Sequence, residues 1–140
     1  MVAAMEVSPE QASLYGVLNV DRQHGPLGRV KGMVEKPALG QAPSNLVVIG
    51  RYILTPQVLD NLETVPRGAG GEIQLTDAIA AEIDAGRDVF GYRFDGQRYD
   101  CGSKAGFLQA TVAFALARDD LRDEFADFLT QMQAVQRAAQ

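Results

Sequence analysis

An alternating strand that stops at Val34-Glu35-Lys36-Pro37 constrains this chain more than any other feature. From Arg29 to Glu35 the residues follow the two-residue period of a strand: Val30, Gly32 and Val34 on one face, Lys31 and Met33 on the other. Proline has no N–H to give a sheet ladder, so Pro37 ends the strand. A carboxylate and an ammonium then stand side by side at the strand terminus. Together they offer an acceptor and a donor to a ligand that carries both hydroxyls and an anion, and a sugar phosphate is such a ligand. The plainer reading is an ion pair exposed to water at a strand end.

Other segments surround this strand in an α/β pattern. Val2 to Val7 and Leu14 to Asp21 read as strands, separated by a turn or short helical turn at Ser8-Pro9-Glu10-Gln11. Asn45 to Leu54 is a nearly continuous apolar run, which suits a strand buried on both faces. Thr55-Pro56 starts a helix, with threonine as cap and proline in the first position, and Pro66 follows its end near Val65. A second helix covers Gln74 to Ala85, with Gly86 just beyond its end. Val89 to Phe94 is a strand, and Asp95-Gly96 predicts a hairpin with a short return strand over Gln97 to Asp100. From Ser103 the chain reads as helix to its end. Ala105 to Ala117 is apolar nearly all round, which calls for cover on several sides. The last helix carries a narrower stripe at Leu121, Phe125, Phe128, Leu129, Met132 and Val135, suited to docking on a core or on a partner subunit. The expected fold is therefore mixed α/β with a helical tail.

The totals narrow the function classes. A length of 140 residues suggests one domain, and 46% hydrophobic with 22% charged residues is ordinary for a globular protein. A net charge of −5 gives bulk electrostatics no reason to attract nucleic acid. Cys101 is the single cysteine, so no internal disulfide forms, which points to a reducing compartment, the cytoplasm. No stretch approaches the ~20 apolar residues of a membrane span. Met1 to Val7 lacks a basic flank and is interrupted by Glu6, so it does not read as a signal peptide. The chain opens directly in a buried strand, which suggests a truncated start.

Several residues have the chemistry for a site. Tyr15-Gly16-Val17 and Gly50-Arg51-Tyr52 each place a glycine in a strand, a frequent mark of close backbone approach. Asp100, in Arg98-Tyr99-Asp100-Cys101-Gly102-Ser103-Lys104, stands at a strand end, where a carboxylate can hold Mg²⁺ with substrate phosphates. The alternative is that Asp100 caps the turn or the helix that follows. Cys101 has no histidine placed to activate it and reads as a buried structural thiol. His24 lies in a Gly/Pro turn and reads as a surface residue. Gly68-Ala69-Gly70-Gly71 lacks the Gly-Lys-Ser/Thr ending of a phosphate loop and follows a helix, so it reads as a flexible connector. Glu72 and Asp77 suit the positive end of the helix they enter.

In this order, Leu14-Tyr15-Gly16-Val17, Val34-Glu35-Lys36-Pro37, Ala42-Pro43-Ser44-Asn45-Leu46, Gly50-Arg51-Tyr52, the run from Gly68 to Ala78, and Tyr99-Asp100-Cys101-Gly102-Ser103-Lys104 resemble the bacterial UTP–glucose-1-phosphate uridylyltransferases. Glu-Lys-Pro is shared among sugar-1-phosphate nucleotidyltransferases, whereas Gly-Glu-Ile-Gln-Leu-Thr-Asp-Ala with Asp-Cys-Gly points to the uridylyltransferase branch. The resemblance implies a doubly wound, Rossmann-like fold. It also implies the Mg²⁺-dependent reaction of UTP with glucose 1-phosphate to give UDP-glucose and pyrophosphate. By motif match, Gly16 offers backbone to the sugar, Glu35 accepts from sugar hydroxyls, Lys36 holds the phosphate as the catalytic cation, Tyr52 lines the sugar site and Asp100 is a metal ligand. The family's glycine-rich opening signature and its central strand-end aspartate are absent. The chain thus resembles the C-terminal half, with residues 1–103 as the sugar-phosphate part and 104–140 as helices for packing or homo-oligomerisation. On this reading the chain is inactive alone. A stand-alone sugar-phosphate-binding or subunit-interaction module, or a transferase for another nucleotide, are the alternatives.

Overall fold

The computed structural model describes residues 1–138; Ala139 and Gln140, the end of the expected helical region, lie outside the described residues. The chain divides into two compact units, Met1–Asp95 and a second from Gly96 onward.

The first unit contains, in order, β1 (Val2–Glu6), α1 (Pro9–Ala12), β2 (Gly16–His24), β3 (Leu27–Glu35), β4 (Leu46–Tyr52), α2 (Pro56–Leu62), α3 (Leu75–Asp84) and β5 (Val89–Arg93). The five strands close on themselves in the order β1-β4-β2-β3-β5. Only β1 and β5 pair in parallel; the other neighbours are antiparallel. These strands therefore do not form the doubly wound parallel sheet that the resemblance implied. For β2 and β3 the reason is local. Gly25-Pro26 is a two-residue link that can only return β3 antiparallel on β2, whereas parallel neighbours need a long crossover.

The core gathers Val2, Ala4, Leu18, Val30, Met33, Val48 and Val89 from the strands with Val58, Ala78 and Ile79 from α2 and α3. Strict alternation along β3 fails. The register between β2 and β3 skips Lys31 on one strand and Asp21 on the other. Each skipped residue turns the following side chains to the opposite face. Met33 consequently joins Val30 in the core, and Val34 is 44% exposed. On β4, Val47 and Val48 are buried on opposite faces. Val48 enters the main core, and Val47 a smaller cluster with Ala12 and Val17. The two-sided burial expected for this run holds only there, and Gly50 and Arg51 are exposed. Ser44 staples the start of β4: its hydroxyl donates to the Leu18 carbonyl at 2.6 Å and accepts from the Leu46 N–H at 3.0 Å.

The return strand after Asp95-Gly96 does not form. β5 already lies between β1 and β3, so it has no free edge to pair with. Phe94 still donates its N–H to the Ala4 carbonyl at 2.7 Å before the chain leaves the sheet. The Gly68–Gly71 segment is also more ordered than a plain connector: it makes a 3₁₀ turn over Ala69–Gly71. Arg67 donates to the Gly71 carbonyl at 2.9 Å and Gln74 to the Ala69 carbonyl at 2.8 Å.

The second unit holds α4 (Lys104–Ala117) and α5 (Arg122–Ala138). In α4 only Gly106 and Ala110 are buried; Phe107, Leu108 and Phe114 are exposed rather than covered on several sides. Cys101 is likewise exposed, not a buried thiol. Among the described residues, no helix is long and apolar enough to cross a membrane.

Candidate functional site

Gly16 opens β2 and is the register partner of Glu35, the last residue of β3. Residues so paired present their side chains on one face of the sheet. Gly16 has no side chain, and three others use the space. A Cβ at Gly16 would stand 2.7 Å from Thr76 Cγ2, 2.9 Å from Glu35 Oε2 and 3.1 Å from Val48 Cγ2. Any larger residue would force these groups apart, so the glycine is a packing requirement of the site.

Thr76 reaches the same point from the first turn of α3, which packs on β3. Its hydroxyl donates to Glu35 Oε2 at 3.0 Å. Glu35 Oε1 stands 3.9 Å from Lys36 Nζ, with the glutamate side chain only 14% exposed and the lysine 54%. One partner of the pair is therefore held and mostly covered, and the other is half exposed. The backbone at this corner is unusual. Lys36 has φ of 44°, the one non-glycine residue at positive φ among those described. Its N–H donates to the Tyr15 carbonyl at 3.0 Å, which holds the corner closed just before Pro37. A left-handed residue immediately before proline is doubly disfavoured, and such outliers concentrate at functional sites.

Tyr52 ends β4 and packs against the core. Burial raises its phenol pKa above the ordinary value, and the negative charge of Glu35 raises it further. It is thus a neutral hydrogen-bond donor at neutral pH, within the field of Glu35. The structure therefore brings together Gly16, Glu35 and Lys36, and the charge of Glu35 acts on Tyr52.

Asp100 belongs to the second unit, where it makes the turn that leads into α4. Its Oδ1 accepts from the Gly102 N–H at 3.0 Å, and its carbonyl accepts from the Ser103 N–H at 3.2 Å and hydroxyl at 3.1 Å. Ser103 Oγ then caps α4 by accepting from the Gly106 N–H at 3.0 Å. This is the turn-and-cap arrangement set out as the alternative to metal binding. Among the described residues no group of three His, Cys, Asp or Glu side chains converges on a cation position. One exposed carboxylate with an oxygen already engaged does not make a magnesium site by itself.

Thr76 is the site residue that the sequence reasoning passed over. The available signal was its position three residues before Ile79 and seven before Ile83, on the stripe of α3 that faces the sheet. A cleft of about 380 Å³ at the hairpin end of the sheet, lined in part by Glu6, Gln23, Ser44 and Arg93, includes none of Gly16, Glu35, Lys36 or Thr76. The chemistry and the cavity lie in different places, and the paired charges outweigh the empty space as the mark of a site.

The nucleotidyl transferase family model matches residues 1–116. UTP–glucose-1-phosphate uridylyltransferase from Staphylococcus haemolyticus is 43% identical over 132 residues, which are 94% of this chain and 46% of that protein. UTP–glucose-1-phosphate uridylyltransferase 2 from Staphylococcus saprophyticus is 42% identical over 94% of this chain and 45% of its own length. A crystal structure of UDP-glucose pyrophosphorylase complexed with UDP-glucose superposes with a TM-score of 0.78 at 43% identity, covering 84% of this chain and 44% of that one. UDP-glucose pyrophosphorylase from Acinetobacter baumannii gives 0.80 at 37% identity, over 94% and 45%. The chain spans about half the length of the relatives it matches. With the Glu-Lys-Pro strand end in place and the family match running through both the sheet and most of α4, this chain belongs to the nucleotidyl transferase family.

Proposed function

We propose that this chain supplies the sugar-phosphate side of a UTP–glucose-1-phosphate uridylyltransferase and corresponds to the C-terminal part of that enzyme. The observation that carries the reading is the corner at Gly16, Glu35 and Lys36. It holds a hydrogen-bonded, largely buried carboxylate, a side-chain-free backbone opposite it, and a half-exposed ammonium next to it.

Each element has a task in the reaction. Glu35 accepts hydrogen bonds from sugar hydroxyls, and Gly16 lets the sugar approach the backbone. Tyr52, kept neutral, lines the sugar and has an O–H to donate. Lys36 meets the phosphate of glucose 1-phosphate as a compact point charge. A phosphate oxygen of glucose 1-phosphate then bonds to the α-phosphorus of UTP, the bond from that phosphorus to the bridging oxygen of pyrophosphate breaks, and pyrophosphate leaves. Lys36 offsets the charge that two anionic reactants bring together, and the rest of the corner orients the attacking oxygen. Magnesium enters this reading as an ion that Asp100 would share with substrate phosphates. Among the described residues the donors do not compose its site alone. The single cysteine and the exposed apolar side chains of α4 and α5 support a cytoplasmic enzyme that assembles with further copies.

Calorimetry of the whole chain with glucose 1-phosphate tests the proposal. Saturable binding is expected, weakened about tenfold or more by Lys36→Ala, as for loss of a charged hydrogen bond. A chain that binds no glucose 1-phosphate, or binds it equally well without the Lys36 ammonium, would refute it.

A further inference from the structure

Thr76 and Glu82 are the two buried polar or charged side chains among the described residues, at 5% and 3% exposure. Glu82 is fully occupied by Arg87 and Asn61 on the side of α3 near β5. Thr76 instead spends its hydroxyl on a residue of the candidate site. Both halves of its side chain are in use: Oγ1 donates to Glu35 Oε2 at 3.0 Å, and Cγ2 fills the space left open over Gly16.

That geometry constrains what Glu35 can do. A carboxylate on a flexible side chain can rotate to follow hydroxyls in several orientations. Here Oε2 is tied to Thr76, and Oε1 is left facing Lys36 at 3.9 Å. Oε2 is thereby held in place, and the carboxylate is less free to follow a displaced hydroxyl. A site built to pair a particular hydroxyl rejects an analogue that displaces it, because the buried acceptor is then left short of a partner. Fixing the acceptor in advance also lowers the ordering cost of binding the right sugar.

We infer that Thr76 is the positioning residue that gives this site its choice between sugar-phosphate epimers, by pinning Glu35 Oε2. The inference rests on the sugar-phosphate reading above. Lys36 holds the phosphate whichever epimer is bound, so the effect of Thr76 falls on the sugar and not on the charge.

The test is calorimetry of the whole chain and two variants with glucose 1-phosphate and with its C4 epimer, galactose 1-phosphate. Thr76→Val keeps the methyl group over Gly16 and removes the hydroxyl. It is expected to weaken glucose 1-phosphate about tenfold, to change galactose 1-phosphate much less, and so to collapse the ratio between them. Thr76→Ser keeps the hydroxyl and is expected to retain the wild-type ratio; Thr76→Ala, which also lacks the hydroxyl, takes the place of the valine variant if that one does not fold. Unchanged binding in Thr76→Val, an equal loss for both epimers, or a collapsed ratio in Thr76→Ser would overturn the inference. A wild-type chain that binds neither sugar phosphate would remove the sugar-phosphate reading itself, and this inference with it. A wild-type chain that binds glucose 1-phosphate beside a valine variant that discriminates normally would overturn the inference alone.

Discussion

Replacing Lys36 with glycine should leave the chain more stable than replacing it with alanine, which reverses the ordinary order of the two residues. In most strand or helix positions alanine is the more stable by about 0.5–1 kcal/mol, because glycine loses more backbone freedom on folding. Lys36 has φ of 44°, however, and an L-residue held in the left-handed region carries a cost of about 1–2 kcal/mol that glycine does not. Setting that relief against the extra unfolded-state entropy of glycine, about 0.4–1 kcal/mol, leaves glycine ahead by about 0.8 kcal/mol at the centre of the two ranges. The comparison is clean because both variants lose the same ammonium and the same 3.9 Å approach to Glu35 Oε1, and both keep the N–H that donates to the Tyr15 carbonyl. Urea unfolding of the two variants, with equal slopes as the check on two-state behaviour, reads the difference directly. Alanine as stable as glycine, or more so, would refute the reasoning. Calorimetry adds a second arm. Both variants should bind glucose 1-phosphate weakly, so the stabler one gains nothing in function. That outcome is expected where a strained conformation serves a ligand.

Gly16→Ala should cost about 1–3 kcal/mol, the range for overpacking. Its Cβ meets Thr76, Glu35 and Val48 within 3.1 Å, and wild-type stability with unchanged glucose 1-phosphate binding would contradict the close approach. Glu82 gives a pH prediction. Its pKa is lowered, chiefly by the hydrogen bonds from Arg87 and further by Asn61, against an opposing effect of burial. A carboxyl whose folded pKa is depressed adds stability above its unfolded value, near 4.5, and loses it as pH falls through the folded value. Glu82→Gln should therefore lower the melting temperature at pH 7 and show a shrinking deficit as the pH falls below 4.5; a deficit constant with pH would count against the pairing.

Local signals in the sequence were sound where the structure is governed by local geometry. Thr55-Pro56 does open α2, and Gly86 does follow α3 with φ of 78°, because caps and left-handed stops depend on a few adjacent residues. Errors arise where a distant strand decides the outcome. The Asp95-Gly96 pair is a good hairpin turn in isolation, but β5 has neighbours on both sides, and no local pattern reports that closure. Val34 fits an inward-facing position by alternation, yet a skipped residue at Lys31 turns it outward, and the skip exists only in the register with β2.

The site shows the same division. Glu35 and Lys36 are legible because chemistry, charge and a stop signal coincide in four adjacent residues. Gly16 is legible only as a glycine in a strand. Its reason lies 60 residues on in the chain, where Thr76 Cγ2 needs the room. Thr76 itself, the third member of that contact, looks like an ordinary residue in the first turn of a helix. What distinguishes it is that α3 packs on β3 in a register that brings a hydroxyl to 3.0 Å from a strand-end carboxylate. A motif can thus name the groups proposed to meet a ligand. The groups that hold those in place come from whichever element the fold lays across them. If Thr76 fixes the acceptor as inferred, part of the site's selectivity sits on a residue that meets neither the sugar nor the phosphate.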